Sequence, residues 1–184
     1  MATSSPPSQH SAYPQRISRS HSPVLAQAVP WLSVMLGSLV PQWLMIASAP
    51  LMPPVGLLLL VAWRQLRPGV FPVWAGLPLG LFDDLYSGQP FGSAMLAWSI
   101  AMIALEVIET RFPWRNPVLD WLVAALFIAG NLLLGLLFVD AGGGEVSAAV
   151  LAPQAVLSIL LFPLVGRLVS WLDRLRLLRF KAFA

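Results

Sequence analysis

The chain has 184 residues, of which 58% are hydrophobic and only 10% are charged, whereas about 25% of the residues in an ordinary soluble domain are charged. Such a chain cannot cover its apolar side chains for water, so we expect one compact domain in a membrane. The lack of cysteine excludes disulfides and thiolate metal sites, and both histidines lie in the polar N-terminal segment, so we expect no metal and no cofactor. The net charge of +3 comes from basic residues between apolar runs, which is typical of membrane-surface charge and not of nucleic-acid binding.

Six apolar segments are predicted to be transmembrane helices. Residues 1–28, rich in Ser, Pro and Gln, are predicted to be a flexible cytoplasmic tail, because they carry too little apolar surface to offset the entropy of ordering. The membrane domain, residues 29–173, contains segments at about residues 30–49, 51–63, 70–85, 90–109, 117–139 and 147–172. The second segment is short, since its thirteen residues span only about 20 Å of a roughly 30 Å hydrocarbon core. Residues 174–184, which are rich in Arg, are predicted to be a basic cytoplasmic C-terminal tail.

The basic residues indicate how many of these segments cross the membrane. Lys and Arg lie before the first segment and after the second, fourth and sixth, whereas the loops after the first, third and fifth segments contain neither. All basic residues outside the segments therefore fall on one side only if each of the six segments crosses. The predicted fold is an all-α integral membrane bundle of six transmembrane helices with both termini in the cytoplasm.

Small residues let membrane helices approach one another closely. Glycines inside the predicted segments are expected to provide such contacts: Gly56, Gly76, Gly80, Gly130, Gly135 and Gly166. The bundle should therefore be tightly packed at several helix pairs.

The most informative polar stretch is the turn after the third segment, which contains Asp83, Asp84, Ser87, Gly88, Pro90 and Gly92. Two carboxylates at the end of a membrane helix lose hydration and need partners. One interpretation is an acidic notch, open to the far side, that receives a polar or cationic group of a partner protein. In the other, the carboxylates merely end the helix, and Ser87 or Gln89 caps the next one. Gly88 would then have a positive φ, and Pro90 would occupy the first helical position.

Two further carboxylates, Glu106 and Glu109, lie three residues apart at the end of the fourth segment, close to Arg111 and Arg115. This spacing places both on one face of a helix. They are predicted either to form a salt-bridged helix end or to contact a cytoplasmic partner, and we treat them as secondary site candidates.

The turn also carries a recognisable motif. The pattern G-x-x-x-G-L-x-x-D-L-x-S-G-x-P-x-G extends from Gly76 to Gly92. Together with the six apolar segments and the basic end, it resembles the bacterial rod-shape-determining protein MreD family. Asp84 matches the aspartate of the family, whereas Asp83 stands where an apolar residue would be more usual.

This resemblance implies a non-enzymatic scaffold subunit of the cell-elongation (rod) complex in the bacterial inner membrane, which helps to organise peptidoglycan synthesis and cell shape. The implied partner is MreC, a single-span protein whose bulk is periplasmic, and through it MreB, RodA and a penicillin-binding transpeptidase. The helix grooves would take the transmembrane helix of MreC, and the Asp84 turn would fix the start of its periplasmic part. Two copies could also meet through the complex.

A competing hypothesis comes from the same resemblance, because the family is similar in architecture to the substrate-binding subunits of energy-coupling-factor vitamin transporters. A small-solute binding subunit needs a polar pocket lined from several helices, and the segments offer few polar groups beyond Asn131 and Gln154. An enzyme is not expected, because the chain has no nucleophile beside a base and no phosphate-binding glycine loop.

Overall fold

The computed structural model describes residues 23–43, 52–88, 90–111, 116–144 and 148–176. These residues form six α-helices, a short 3-10 helix at Val73–Ala75 and no strand. The α-helices are α1 (Pro23–Trp43), α2 (Val55–Leu66), α3 (Gly76–Tyr86), α4 (Ser93–Arg111), α5 (Pro117–Ala141) and α6 (Ala148–Arg176). Each predicted segment overlaps one helix. However, α1 begins within the predicted N-terminal tail, and α6 extends into the predicted C-terminal one. The rest of both tails lies outside the described residues.

The short helix α2 is the centre of the bundle. Ten of its twelve residues are buried, and it packs against α1, α4, α5 and α6. The other five helices surround it, in the order α1, α3, α4, α5, α6 and back to α1. A helix that meets protein on every side needs apolar side chains all round. This explains why no polar residue interrupts the sequence Gly56–Trp63.

Polar contacts join the helix ends at two levels of the bundle. At one level, Arg67 after α2 pairs with Asp173 near the end of α6; we call this the arginine end. At the other, Gln154 near the start of α6 donates a hydrogen bond to the carbonyl of Met52, just before α2. This level also contains Asp84 between α3 and α4, and we call it the turn end. Helices α2 and α6 therefore run in the same direction. Because the connections are short, successive helices alternate in direction between the two ends of the bundle.

The closest helix contact lies between α3 and α4. A Cβ atom at Gly76 would stand 2.6 Å from the carbonyl oxygen of Trp98, and one at Gly80 would stand 2.6 Å from the Cα of Met95. Both obstacles are backbone, so any side chain would push the two helices apart. The expected close packing at these glycines is confirmed, and it brings the start of α4 against the end of α3.

Many large apolar side chains of α4, α5 and α6 are exposed on the outer surface of the bundle. Three helical stretches are long and apolar enough to cross a membrane within the described residues, Ser93–Arg111, Pro117–Ala141 and Leu151–Arg176, and Val55–Leu66 is apolar but shorter. A Cβ atom added at Gly130 or Gly166 would meet no other group within 4 Å. The prediction of close packing at these two glycines was wrong, because they face open space rather than a neighbouring helix.

Candidate functional site

Asp84 caps the N-terminus of α4. Its Oδ1 accepts a hydrogen bond from the backbone N–H of Ala94 at 2.9 Å, and its Oδ2 accepts from those of Gly92 and Met95 at 3.0 Å each. The hydroxyl of Ser93 lies 3.4 Å from Oδ1. The first N–H groups of a helix have no partner within the helix, and a negative charge is favourable there. Asp84 therefore performs, from the preceding helix, the role of an N-cap.

The residues predicted to cap α4 lie elsewhere. Ser87 ends α3, and its N–H donates to the carbonyl of Asp83 at 2.7 Å. Pro90 precedes α4, which begins at Ser93, so the expected first-turn position of Pro90 was wrong. Gln89 lies outside the described residues. The capping group is the Asp84 carboxylate because the turn folds it back over the helix that follows.

Two glycines make this return possible. Gly88 has a φ of 69° and Gly92 a φ of 92°, values that residues with a side chain rarely adopt. The predicted positive φ at Gly88 is confirmed. The chain turns tightly enough at these two points to bring α4 under the carboxylate of Asp84.

Asp83 lies beside this cap and is also buried. Only 8% of Asp83 and 5% of Asp84 are exposed. The hydroxyls of Ser38 on α1 and Ser87 after α3 lie near the carboxylate of Asp83, but neither forms a hydrogen bond with a described residue. The expected acidic notch, open to the far side, was therefore wrong, because both carboxylates are buried and that of Asp84 is bonded to the start of α4.

The surface that the turn does expose is apolar. Leu85 is 62% exposed, Tyr86 43% and Phe91 68%. We call these three residues the turn rim. The ring of Tyr86 packs at a tilt of 43° against that of Phe82 on the preceding turn of α3, with the ring centroids 4.7 Å apart. The buried carboxylates thus shape a turn whose outward groups are large and hydrophobic.

At the arginine end, a buried guanidinium joins α2 to α4. The side chain of Arg64 is 2% exposed. Its Nε donates to Glu109 Oε1 at 3.2 Å, its Nη1 to the carbonyl of Phe71 at 2.7 Å, and its Nη2 contacts both Glu106 and Glu109. A buried charge is costly unless it is paired and hydrogen-bonded, and here each nitrogen has an acceptor.

This contact changes the interpretation of the two glutamates. Glu106 and Glu109 form the salt-bridged helix end that was one of their two predicted roles, but their partner is Arg64 on α2. Both carboxylates contact the buried arginine; of the two arginines that follow them in the sequence, Arg115 lies outside the described residues. Glu106 remains 46% exposed at its side chain.

A second ionic cluster joins α2 to α6. Nε and Nη2 of Arg67 both contact Asp173 Oδ2, at 3.0 and 2.8 Å. On the other side, Arg176 Nε lies 3.0 Å from Asp173 Oδ1. The guanidinium of Arg176 also lies 5.6 Å from the centroid of the Trp63 ring, within the range of a cation–π contact. The ends of α2, α4 and α6 are thus joined by charge.

A comparison with protein families decides which proteins this bundle is related to. The family model for the rod shape-determining protein MreD matches residues 21–172. The chain belongs to the MreD family. Membership implies a role in determining rod shape and a location in a membrane, and proteins of this family take part in the MreBCD shape complex. Comparisons with curated proteins and with solved structures gave no match.

The motif that resembles MreD has a structural explanation in this chain. Gly76 and Gly80 allow α3 to touch the backbone of α4, Asp84 caps α4, and Gly88 and Gly92 form the turn between them. The motif therefore encodes one compact unit, the helix pair α3–α4.

Sequence reasoning missed the two ionic clusters of this MreD-family chain. In the sequence, Arg64 and Arg67 indicate only the cytoplasmic side, and no local pattern pairs them with carboxylates of α4 or α6. The i, i+3 spacing of Asp173 and Arg176 is a partial signal, because it predicts the ion pair within α6 but not the one with Arg67. Which helix each charge faces depends on the central position of α2, and that position is not visible in the sequence.

Proposed function

We propose that the protein is a non-enzymatic scaffold subunit of the bacterial cell-elongation (rod) complex, which binds MreC and thereby helps to organise peptidoglycan synthesis and cell shape. The observation that carries this proposal is the MreD family match, which covers α1 to α5 completely and most of α6. MreB, RodA and a penicillin-binding transpeptidase are reached through MreC and not by direct contact.

We place the protein in the inner membrane with six crossings and both termini in the cytoplasm. The distribution of basic residues supports this orientation, since Arg64, Arg67 and Arg176 all lie at the arginine end and positive charge favours the cytoplasmic side. The turn end, with the turn rim, then faces the periplasm. This is the side on which the bulk of MreC is expected.

We assign the contact with MreC to the α3–α4 turn. Leu85, Tyr86 and Phe91 form an exposed apolar rim, and aromatic side chains such as those of Tyr86 and Phe91 dominate the energetics of protein interfaces. The remaining turn residues, Asp83, Asp84, Ser87, Gly88, Pro90 and Gly92, would act indirectly by holding this rim in place. The transmembrane helix of MreC would pack beside the same turn.

The test is a pull-down of the tagged protein from native membranes in mild detergent, with the recovered chains identified by mass spectrometry. Leu85→Ala combined with Phe91→Ala should reduce the recovery of MreC at equal protein levels. The matched control is Leu133→Ala combined with Leu137→Ala, because these α5 leucines are 58% and 62% exposed but lie on another helix.

The outcomes separate the proposed functions. Undiminished MreC retention and normal rod shape in the Asp83→Ala, Asp84→Ala double variant would exclude the turn as the MreC contact. Recovery of ATPase subunits with a second multi-span protein, and no MreC, would instead identify a subunit of a solute transporter.

A further inference from the structure

The outer face of α6 changes from apolar to basic along one stripe. Three apolar side chains on this face are more than half exposed: Val156, Leu160 and Leu164. Further along the helix, Arg167 and Arg174 are exposed, and Trp171 between them is 56% exposed. Spacings of three and four residues keep all six positions on one helix face. We call this set the α6 stripe.

The two arginines of the α6 stripe differ from the three arginines that hold the ends of α2, α4 and α6 together. Arg64, Arg67 and Arg176 each contact a carboxylate, whereas Arg167 and Arg174 form no ion pair with any residue that the structure describes. A guanidinium is a planar fork of donors that matches phosphate and carboxylate groups. Both guanidinium groups are therefore available to an anion from outside the bundle.

The position of Arg167 within the apolar part of α6 indicates which kind of anion it binds. Arg167 lies six residues before Asp173, which pairs with Arg67 at the end of α2; six residues correspond to about 9 Å along the helix. It thus lies inside Leu151–Arg176, a stretch long and apolar enough to cross a membrane. A lipid-facing cation at this position must extend toward the interface, where the phosphate groups of lipids are the nearest anions.

We propose that the α6 stripe binds an anionic phospholipid from the leaflet around the arginine end. The guanidinium groups of Arg167 and Arg174 hold the headgroup; their Cα atoms are about 10 Å apart, a distance that two long side chains can close onto one headgroup. The indole of Trp171 lies at the interface, and the acyl chains follow Leu164 and Leu160. The stripe carries two cations and no carboxylate, so an anionic lipid is favoured over a zwitterionic one.

The test is native mass spectrometry of the purified full chain in detergent, titrated separately with dioleoylphosphatidylglycerol and dioleoylphosphatidylcholine. The unmodified protein should hold the first phosphatidylglycerol more tightly than the first phosphatidylcholine. Arg167→Gln and Arg174→Gln should each weaken phosphatidylglycerol binding about fivefold, and together about thirtyfold. Arg167→Lys combined with Arg174→Lys keeps both charges and should retain the preference.

The control is Arg111→Gln, which removes an exposed arginine from α4 and should leave phosphatidylglycerol binding unchanged. Equal affinity of the unmodified protein for the two lipids would overturn the proposal, as would an equal loss in Arg111→Gln. MreC recovery should be unaffected by the glutamine variants. If MreC were lost while phosphatidylglycerol binding stayed intact, the stripe would be a protein contact, and the lipid site would be refuted independently of the scaffold function.

Discussion

Among single residues, Asp84 has the clearest role, because one carboxylate satisfies three backbone N–H groups at the start of α4. Asp84→Ala would leave these buried donors without an acceptor. We expect a loss of roughly 2 kcal/mol in the free energy of unfolding, seen as a lower apparent melting temperature in detergent.

Asp83→Ala is the control for this prediction. Asp83 is similarly buried, but the backbone N–H groups at the start of α4 donate to Asp84 and not to it. The melting temperature should fall less than in Asp84→Ala. An equal or larger fall in Asp83→Ala would show that the cap is not the main contribution of the acidic pair.

Arg64 is the second residue whose removal should destabilise the bundle. Arg64→Ala would leave Glu106 and Glu109 repelling each other and the carbonyl of Phe71 without its donor. Breaking a buried ion pair costs about 3–5 kcal/mol, and we expect the lower value because Glu106 is 46% exposed at its side chain and can regain water. Unfolding in detergent would measure this loss. Arg111→Ala, at an exposed position, should leave the melting temperature unchanged; a similar fall in both variants would argue against a specific clamp.

At the level of helices, the contact between α3 and α4 depends on two glycines. Gly80→Ala places a methyl group against the backbone of Met95, and Gly76→Ala places one against that of Trp98. Either change should separate the helices and lower the melting temperature. Gly166→Ala is the matched control, because its surroundings are open, and alanine should there stabilise the helix by about 0.5–1 kcal/mol. Stabilisation at all three glycines would refute the close contact.

The helices could largely be predicted from the sequence, whereas their contacts could not. Apolar runs located all six helices. The predicted start of α1 at about residue 30 was wrong: proline is favoured in the first turn of a helix, but α1 begins at Pro23 and Pro30 lies inside it. The Gly76–Gly92 motif located the candidate site. Asp84 accepts hydrogen bonds from N–H groups 8 to 11 residues further along the chain. The sequence did not predict these bonds, because they depend on the turn at Gly88 and Gly92. Likewise, the burial of Arg64 follows from helix order and not from any local pattern.

For the whole molecule, the central position of α2 explains why it can be short. Its twelve residues extend only about 18 Å, less than the roughly 30 Å of hydrocarbon that a lipid-exposed helix must span. Because five helices surround α2, its ends need not reach the membrane surface. They meet polar groups inside the bundle instead: Gln154 beside Met52 at the turn end, and Glu109 beside Arg64 at the arginine end.

This architecture makes a direct prediction about membrane orientation, which the cysteine-free sequence allows to be tested with single cysteine variants. Pro68 is exposed next to Arg67 at the arginine end, and Ala141 is exposed at the end of α5. With both termini in the cytoplasm, a membrane-impermeant maleimide should label Ala141→Cys in cells with a permeabilised outer membrane. It should label Pro68→Cys only after the inner membrane is broken.

The control is Ala97→Cys, at a core position that is only 6% exposed. It should resist labelling in both preparations, because the reagent reaches only exposed thiols. The reverse pattern for Pro68→Cys and Ala141→Cys would place the arginine end in the periplasm, against the distribution of basic residues. If both Pro68→Cys and Ala141→Cys were labelled while the inner membrane was intact, the two positions would lie on the same side, and the chain would cross the membrane an even number of times between them. In that case α2 and α6 could not both run from the periplasm to the cytoplasm, and the turn rim would lose its periplasmic position beside MreC.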